Sequence, residues 1–277
     1  MPPIKALVLC GYGLNCDYET QFALAQAGAE AVRVHINELI CGEARLTDFH
    51  LLALVGGFSW GDDHGAGVIL GLRLKLALQS QLIDFIQDGK LILGICNGFQ
   101  VLVNMGLLPG LNGDYNRRQV AMIPNDCGNF RDAWVHLQVA SERSVFTRHL
   151  NHLELPVRHG EGKFFAPPEV RAELFARQQV VFQYATPEGH PAHGRFPDNP
   201  NGSLDDIAGI CDPSGRVLGL MPHPEAYIQF TQHPTWTRQK ETWRRQHQPP
   251  PSLEGAGMHL FRNAITYLQA TFGTSSD

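Results

Sequence analysis

Neither sign of charge dominates this chain of 277 residues, whose 22 basic and 27 acidic side chains leave a formal net charge of -5. There is no basic field to gather a nucleic-acid backbone or an anionic membrane surface, so neither is expected as a partner. Long apolar runs are also missing. No stretch of 18 uninterrupted apolar residues occurs, which excludes a helical membrane span. After Met1-Pro2-Pro3 the chain moves into strand-like sequence without a basic segment and a long apolar run, so no signal peptide is expected. Cysteine is sparse and scattered, at positions 10, 16, 41, 96, 127 and 211, with neither close pairs nor metal-ligand spacing. These read as reduced thiols of a cytoplasmic protein, and no metal site is expected. The pattern Gly-x-x-x-x-Gly-Lys-Ser/Thr is absent, so no ATP site is evident. Internal repeats are missing too, and low complexity is confined to the last few residues.

What is present starts at residues 91–100, Leu-Ile-Leu-Gly-Ile-Cys-Asn-Gly-Phe-Gln, where Cys96 stands between an apolar strand and a predicted helix, with Gly94 and Gly98 on either side. A strand-to-helix reversal this sharp leaves no room for side chains near its apex, which accounts for the glycines, and it lifts the thiol to the top of a sheet. A buried small hydrophobe is the bland alternative for a lone cysteine. Far down the chain, Met221-Pro222-His223-Pro224-Glu225 follows the apolar segment 217–220 and offers His223 as a base with Glu225 to orient it. Together the two segments favour a thiol nucleophile.

The first half alternates strand and helix. Strands are predicted at 4–10, 31–35, 51–55 and 91–95, with helices at about 17–27 and 70–87, the second carrying Leu72, Leu76, Leu82, Ile83 and Ile86 toward the sheet. Strands apolar throughout and separated by helices imply a parallel sheet covered on both faces. Functional loops then gather beyond the carboxyl ends of the strands, where Gly57 and Cys96 fall. From about 119 to 217 the pattern changes to short strands at 135–139, 155–158 and 180–185, broken by Gly, Pro and Asn. Strands at 207–211 and 217–220 enclose the turn Asp212-Pro213-Ser214-Gly215. Residues 226–255 read as a late insertion and connector, Pro-rich from 248 on, in which Trp236 and Trp243 suit an interface. A closing helix over 258–272 presents Leu260, Phe261, Ala264, Ile265, Leu268 and Phe272 on one stripe. His193, His233 and His247 read as surface residues. One domain over 1–277 is expected.

At these residues the chain resembles the triad-type, or class I, glutamine amidotransferases, within the branch that forms the glutaminase component of phosphoribosylformylglycinamidine synthase. The likeness is carried by Gly56-Gly57-Phe58-Ser59-Trp60-Gly61-Asp62, Gly94-Ile95-Cys96-Asn97-Gly98, His159-Gly160-Glu161-Gly162-Lys163-Phe164, Asn201-Gly202-Ser203, and Ile207-Ala208-Gly209-Ile210-Cys211 running on to Pro222-His223-Pro224-Glu225. Cys-x-Gly-x-Gln after the nucleophile is family-wide. Asn97, the Phe-Ser-x-Gly-Asp loop and the His-Gly-Glu-Gly segment point to the branch.

The resemblance implies a three-layer α/β sandwich of flavodoxin-like topology, with a mostly parallel central sheet and a small antiparallel extension. It implies Cys96, His223 and Glu225 as the triad that hydrolyses glutamine, and an oxyanion hole from the amides of Gly57 and Asn97. Phe58 and Gln100 would bound the substrate pocket. His159 and Glu161, in a Gly-rich loop that core packing does not explain, would serve binding or coupling. Implied partners are L-glutamine, a large synthetase subunit that holds ATP and magnesium, and, in some assemblies, a small bridging subunit; no cofactor is expected in this chain. Two departures stand out. Where the branch reads Arg-Phe-Glu-x-Arg this chain has Asn129-Phe130-Arg131-Asp132-Ala133, and residues 226–248 look like an insertion of fused forms. The competing readings are a glutaminase serving another amidotransferase, a stand-alone amidase or peptidase, and an inactive relative.

Overall fold

Strands with no polar alternation need cover on both faces, and the chain supplies it. The computed structural model describes residues 3–247 and 252–273. Its first half runs β1 (Lys5–Cys10), α1 (Asp17–Gln26), β2 (Glu30–His35), α2 (Ile36–Cys41), β3 (Leu51–Leu54), α3 (Val68–Gln87), β4 (Leu91–Ile95) and α4 (Asn97–Met105). The second half runs β5 (Ala121–Ile123), β6 (Arg131–Val139), β7 (His152–His159), β8 (Lys163–Phe165), α5 (Pro168–Ala176), β9 (Val180–Ala185), β10 (Ile207–Cys211), β11 (Val217–Leu220), α6 (Trp236–Arg245) and α7 (Met258–Phe272).

Nine strands form one sheet in the order β2-β1-β3-β4-β11-β10-β9-β6-β7, and β5 pairs β8 in a separate ribbon. The pairs from β2 through β11 are parallel; those from β11 through β7 are antiparallel. The fold is therefore the expected α/β sandwich, a mixed and mostly parallel sheet flanked by helices, with the antiparallel extension continuous with it. From β1 the chain moves one way through α1 to β2 and the other way through α3 to β4. Right-handed crossovers then set α1 and α3 on opposite faces. α7 packs with α1, and α4 with α3. Where strand order reverses, between β1 and β3, the loops after the two strands face one another: Leu14 bridges Gly57, and the Cys16 amide donates to the Gly56 carbonyl at 3.2 Å.

Strands β3, β4, β10 and β11 are buried at every residue. The antiparallel half coils back over them. Edge strand β7 passes close to the carboxyl ends of β4 and β11, since the Pro156 carbonyl accepts the His223 amide at 2.8 Å. One carbonyl of this edge strand is thereby paired.

The helix before β4 differs from expectation in which face is inward. α3 buries Leu70, Leu74, Leu78, Leu82, Phe85 and Ile86, whereas Leu72 and Leu76 are 55% and 79% exposed. They stand two positions from the buried stripe, about 200° round the helix, and the i, i+4 series wins the sheet. Strands β6 and β7 extend well beyond 135–139 and 155–158. His233 is buried rather than on the surface: its ring lies 4.6 Å from that of Trp134, and Nε2 is 3.0 Å from Glu154. α6 buries no residue and is held by ion pairs of Glu241 with Arg244 and Arg245, while Phe230 covers Trp243 at 5.0 Å. Residues 248–251 of the Pro-rich connector lie outside the described residues. Among the described residues, no helix is long and apolar enough to cross a membrane.

α4 packs on β3 with no space to spare at Gly98. A Cβ at Gly98 would overlap the Leu54 carbonyl oxygen, whereas one at Gly160 meets nothing within 4 Å. Gly98→Ala should therefore lower unfolding free energy by about 1–3 kcal/mol or more, and Gly160→Ala should stay within about 0.5 kcal/mol of wild type. Denaturant midpoints at constant slope check this.

Candidate active site

β4 and β11 are parallel neighbours in the register Ile95 to Leu220, so the residues that follow each strand emerge side by side. Cys96 follows β4, its amide donating to the Leu220 carbonyl at 2.8 Å. Its backbone, φ 50 and ψ -103, lies where L-residues are strained by about 1–3 kcal/mol. That turn swings the chain directly into α4. Cys96 is buried, and its thiol donates to the Arg158 carbonyl on β7 at 3.5 Å.

His223 stands three residues past β11 and is anchored through its amide to Pro156. A short 3-10 turn, Pro224–Ala226, brings Glu225 back toward it, so that Nδ1 and Glu225 Oε1 are 2.5 Å apart. His223 and Glu225 are 2% and 1% exposed, so this bond is shielded from water. With Nδ1 donating to the carboxylate, the neutral ring keeps Nε2 as its acceptor. Nε2 has no hydrogen-bond partner among the described residues. Burial opposes charge on the imidazole, but Glu225 and Cys96, with thiol contacts from Cys16 and Cys96, outweigh it and raise His223 well above the usual range.

Cys16, in the loop after β1, joins the same cluster: its sulfur, a His223 nitrogen and a Glu225 oxygen all lie within 4.8 Å of one another. A Cβ at Gly56 would stand 2.7 Å from His223 Cε1, 3.3 Å from Nδ1 and 3.1 Å from Cys16 Sγ, so glycine there lets the ring and the second thiol meet. Burial raises the Cys16 thiol, against its contact with His223. Sequence spacing cannot reveal a cluster of residues 16, 223 and 225. The position of Cys16 beyond the carboxyl end of β1, at the reversal of strand order, is the signal that could have found it.

The remaining candidate residues have different settings. Gly57 sits at φ 147, where a Cβ would overlap the Gly13–Asn15 backbone, and Asn97 opens α4, where an amide has no carbonyl one turn back to bond. The Asn97 side chain donates to Gln100 Oε1 at 3.0 Å and to Asp62 at 3.4 Å; Gln100 Nε2 donates to the Glu161 carbonyl at 2.7 Å, and the Glu161 carboxylate accepts the Ala66 amide at 3.1 Å. Gln100 and Glu161 thus tie α4 to the loops after β3 and β7. Phe58 is an exposed ring 6.1 Å from Phe130.

His159 is turned away from this group. It is the last residue of β7, 2% exposed, with Nδ1 3.2 Å from Asn125 Oδ1 and Nε2 3.5 Å from Asn201 Nδ2. Burial, helped by the charge of His223, pushes it down to about 3, so it stays neutral. Core packing does explain it, contrary to the expectation from sequence: it belongs to a buried polar network in which Asn201 also donates to Tyr184 Oη at 3.1 Å.

The sequence matches the CobB/CobQ-like glutamine amidotransferase domain over residues 3–268. It is 43% identical over 263 residues to the phosphoribosylformylglycinamidine synthase subunit PurQ of Methanococcus maripaludis, covering 95% of this chain and 97% of that protein. It is 42% identical over 270 residues to the subunit of the same name from Dehalococcoides mccartyi, covering 96% and 98%. Among solved structures it is similar to a chain of PurLQS from Thermotoga maritima, with a TM-score of 0.70, 28% identity, and 96% and 100% of the two chains covered.

One acidic group at this site has a sign that can be tested. Burial, and then the charge of Glu161, push the Asp62 carboxyl up to about 6. Between about pH 4, where a free aspartate titrates, and that value the folded state keeps a proton the unfolded chain has lost. Its contribution is therefore greatest at the acid end and disappears as pH rises through 6. In Asp62→Asn the unfolding free energy, taken relative to wild type, should rise across this window; denaturant unfolding at successive pH values that yields parallel curves would contradict the assignment.

Proposed function

Because this chain belongs to the CobB/CobQ-like glutamine amidotransferase domain family, we propose that it is the glutaminase subunit of a phosphoribosylformylglycinamidine synthase. It hydrolyses L-glutamine to glutamate and ammonia, and the ammonia goes to ATP-dependent amination of formylglycinamide ribonucleotide in purine biosynthesis. The observation that carries this reading is the β4–β11 register, which sets a thiol on a strained elbow beside an imidazole held by a buried carboxylate. The relatives named phosphoribosylformylglycinamidine synthase subunit support the choice of branch.

In this reading Cys96 passes its proton to His223 Nε2 and its sulfur bonds to the carboxamide carbon. The oxygen of that carbon takes up negative charge, which the Asn97 and Gly57 amides stabilise in this reading. Nε2–H then gives its proton to the leaving nitrogen, the carbon–nitrogen bond breaks, and ammonia departs from a glutamyl thioester. Water, deprotonated by the same nitrogen, attacks the thioester; carbon–sulfur cleavage releases glutamate and restores the thiol. Glu225 acts through the ring, as a positioning residue that holds the tautomer. Gln100, Glu161 and Phe58 border the substrate, while His159 secures the loop that carries Glu161.

The chain has no Walker-type sequence, and in this reading ATP and magnesium belong to a large synthetase subunit that receives the ammonia; a small bridging subunit is a further partner. The chain itself needs no cofactor. Residues 226–255 are an insertion within one domain over 1–277, and the reaction is cytoplasmic.

With the large subunit present, Cys96→Ala should abolish glutamine-supported amination and leave ammonium-supported amination intact, because the thiol takes no part in acceptor chemistry. His223→Ala should be nearly inactive with glutamine, and Glu225→Ala weaker than wild type yet measurable, since it acts only through the ring. Steady-state rates in the reverse order, or glutamine use by Cys96→Ala, would overturn the roles.

A further inference from the structure

The ring of His223 has two occupied sides, and the hydrolytic reading uses only one thiol. Nε2 is the free acceptor for Cys96. The opposite, Nδ1–Cε1 edge faces Gly56 together with the sulfur of Cys16, and Nδ1 is already 2.5 Å from Glu225 Oε1. Sulfur, imidazole nitrogen and carboxylate oxygen, all within 4.8 Å of one another and all buried, are the donor set preferred by thiophilic divalent ions. We infer that Cys16, His223 Nδ1 and Glu225 form a latent inhibitory site for a zinc-class divalent cation.

Tetrahedral zinc, with bonds of about 2.0–2.3 Å, holds its donor atoms about 3.3–3.8 Å apart. With the three atoms within 4.8 Å of one another, sulfur need move inward by no more than about 1–1.5 Å, and the imidazole–carboxylate pair, now at 2.5 Å, opens by about 1 Å. The charges also balance: one dication meets one thiolate, one carboxylate and one neutral ring, so the buried assembly is neutral, which low dielectric favours. Starting from the neutral ring, the Cys16 sulfur–hydrogen bond breaks and its proton goes to solvent, while the ring proton moves from Nδ1 to Nε2 as the metal bonds to Nδ1. The consequence is inhibition. A ring metallated at Nδ1 and protonated at Nε2 cannot accept the Cys96 proton, so the base is lost while Cys96 itself stays free. The fourth coordination position is left to water.

The inhibitory part rests on the glutaminase reading above, whereas the metal site itself does not. Two measurements separate them. Micromolar zinc should suppress glutamine hydrolysis by the assembled complex, and a chelator should restore it. Cys16→Ala removes one direct ligand; measured against its own zinc-free rate, it should shift the inhibiting zinc concentration upward by more than the about 10–100-fold that outer-shell changes produce. Independently of activity, titration of the chain with cobalt(II) alone should give a thiolate-to-cobalt absorption band that persists in Cys96→Ala and vanishes in Cys16→Ala. Undiminished zinc inhibition in Cys16→Ala, or a cobalt band that follows Cys96 instead, would assign the metal to the nucleophile and overturn the proposal; so would the absence of any cobalt band. A band lost with Cys16 in a protein that does not hydrolyse glutamine would keep the site and overturn the function.

Discussion

The strained backbone of Cys96 is the feature on which the rest of the site depends. A left-handed residue at the end of β4 is tolerable only because the structure around it allows no alternative: β3 and β11 flank the strand in register, the Leu220 carbonyl holds the Cys96 amide, and α4 starts at the next residue. The same turn that lifts the thiol leaves the first amide of α4 without an intrahelical partner and packs Gly98 where a Cβ would overlap the Leu54 carbonyl. Strain, amide donor and close packing are therefore one arrangement, and a change that relaxed any of them would misplace the others.

The sheet contributes a second constraint by coiling. Because β7 returns over the carboxyl ends of β4 and β11, its carbonyls become anchors, Pro156 for the His223 backbone and Arg158 for the Cys96 thiol. Beneath it, the neutral His159 with Asn125, Asn201 and Tyr184 forms a buried polar network whose members are mutually bonded, which stiffens the loop bearing Glu161. Positive charge at His223 is favoured by Glu225, while the neighbouring His159 is kept neutral by burial; the two histidines thus differ because only one has a carboxylate.

Which parts of this could be read from the sequence follows from how local their causes are. The strands Leu91–Ile95, Val180–Ala185, Ile207–Cys211 and Val217–Leu220, and the helix Met258–Phe272, are bounded as their apolar patterns predict. The segments that escaped prediction carry little pattern. β5 and β8 have three residues each, α5 is weakly amphipathic, and α6 buries none of its side chains. In α3 two leucine series compete, and only tertiary packing decides against Leu72 and Leu76. Cys96, His223 and Glu225 announce themselves through flanking Gly and Pro, but the burial of His159 and of His233 and the approach of Cys16 arise from contacts between residues distant in sequence.

The central claim is that sulfur of Cys96 carries the acyl group during turnover. Rapid mixing of the assembled complex with glutamine, followed by acid quench and mass mapping of peptides, tests it most directly. A glutamyl adduct, formed with loss of ammonia, on the peptide bearing Cys96 is the predicted result, accumulating and decaying with the hydrolytic rate. Steady glutamate production with the Cys96 peptide unmodified at every time point, or with the adduct on another cysteine, would contradict the account.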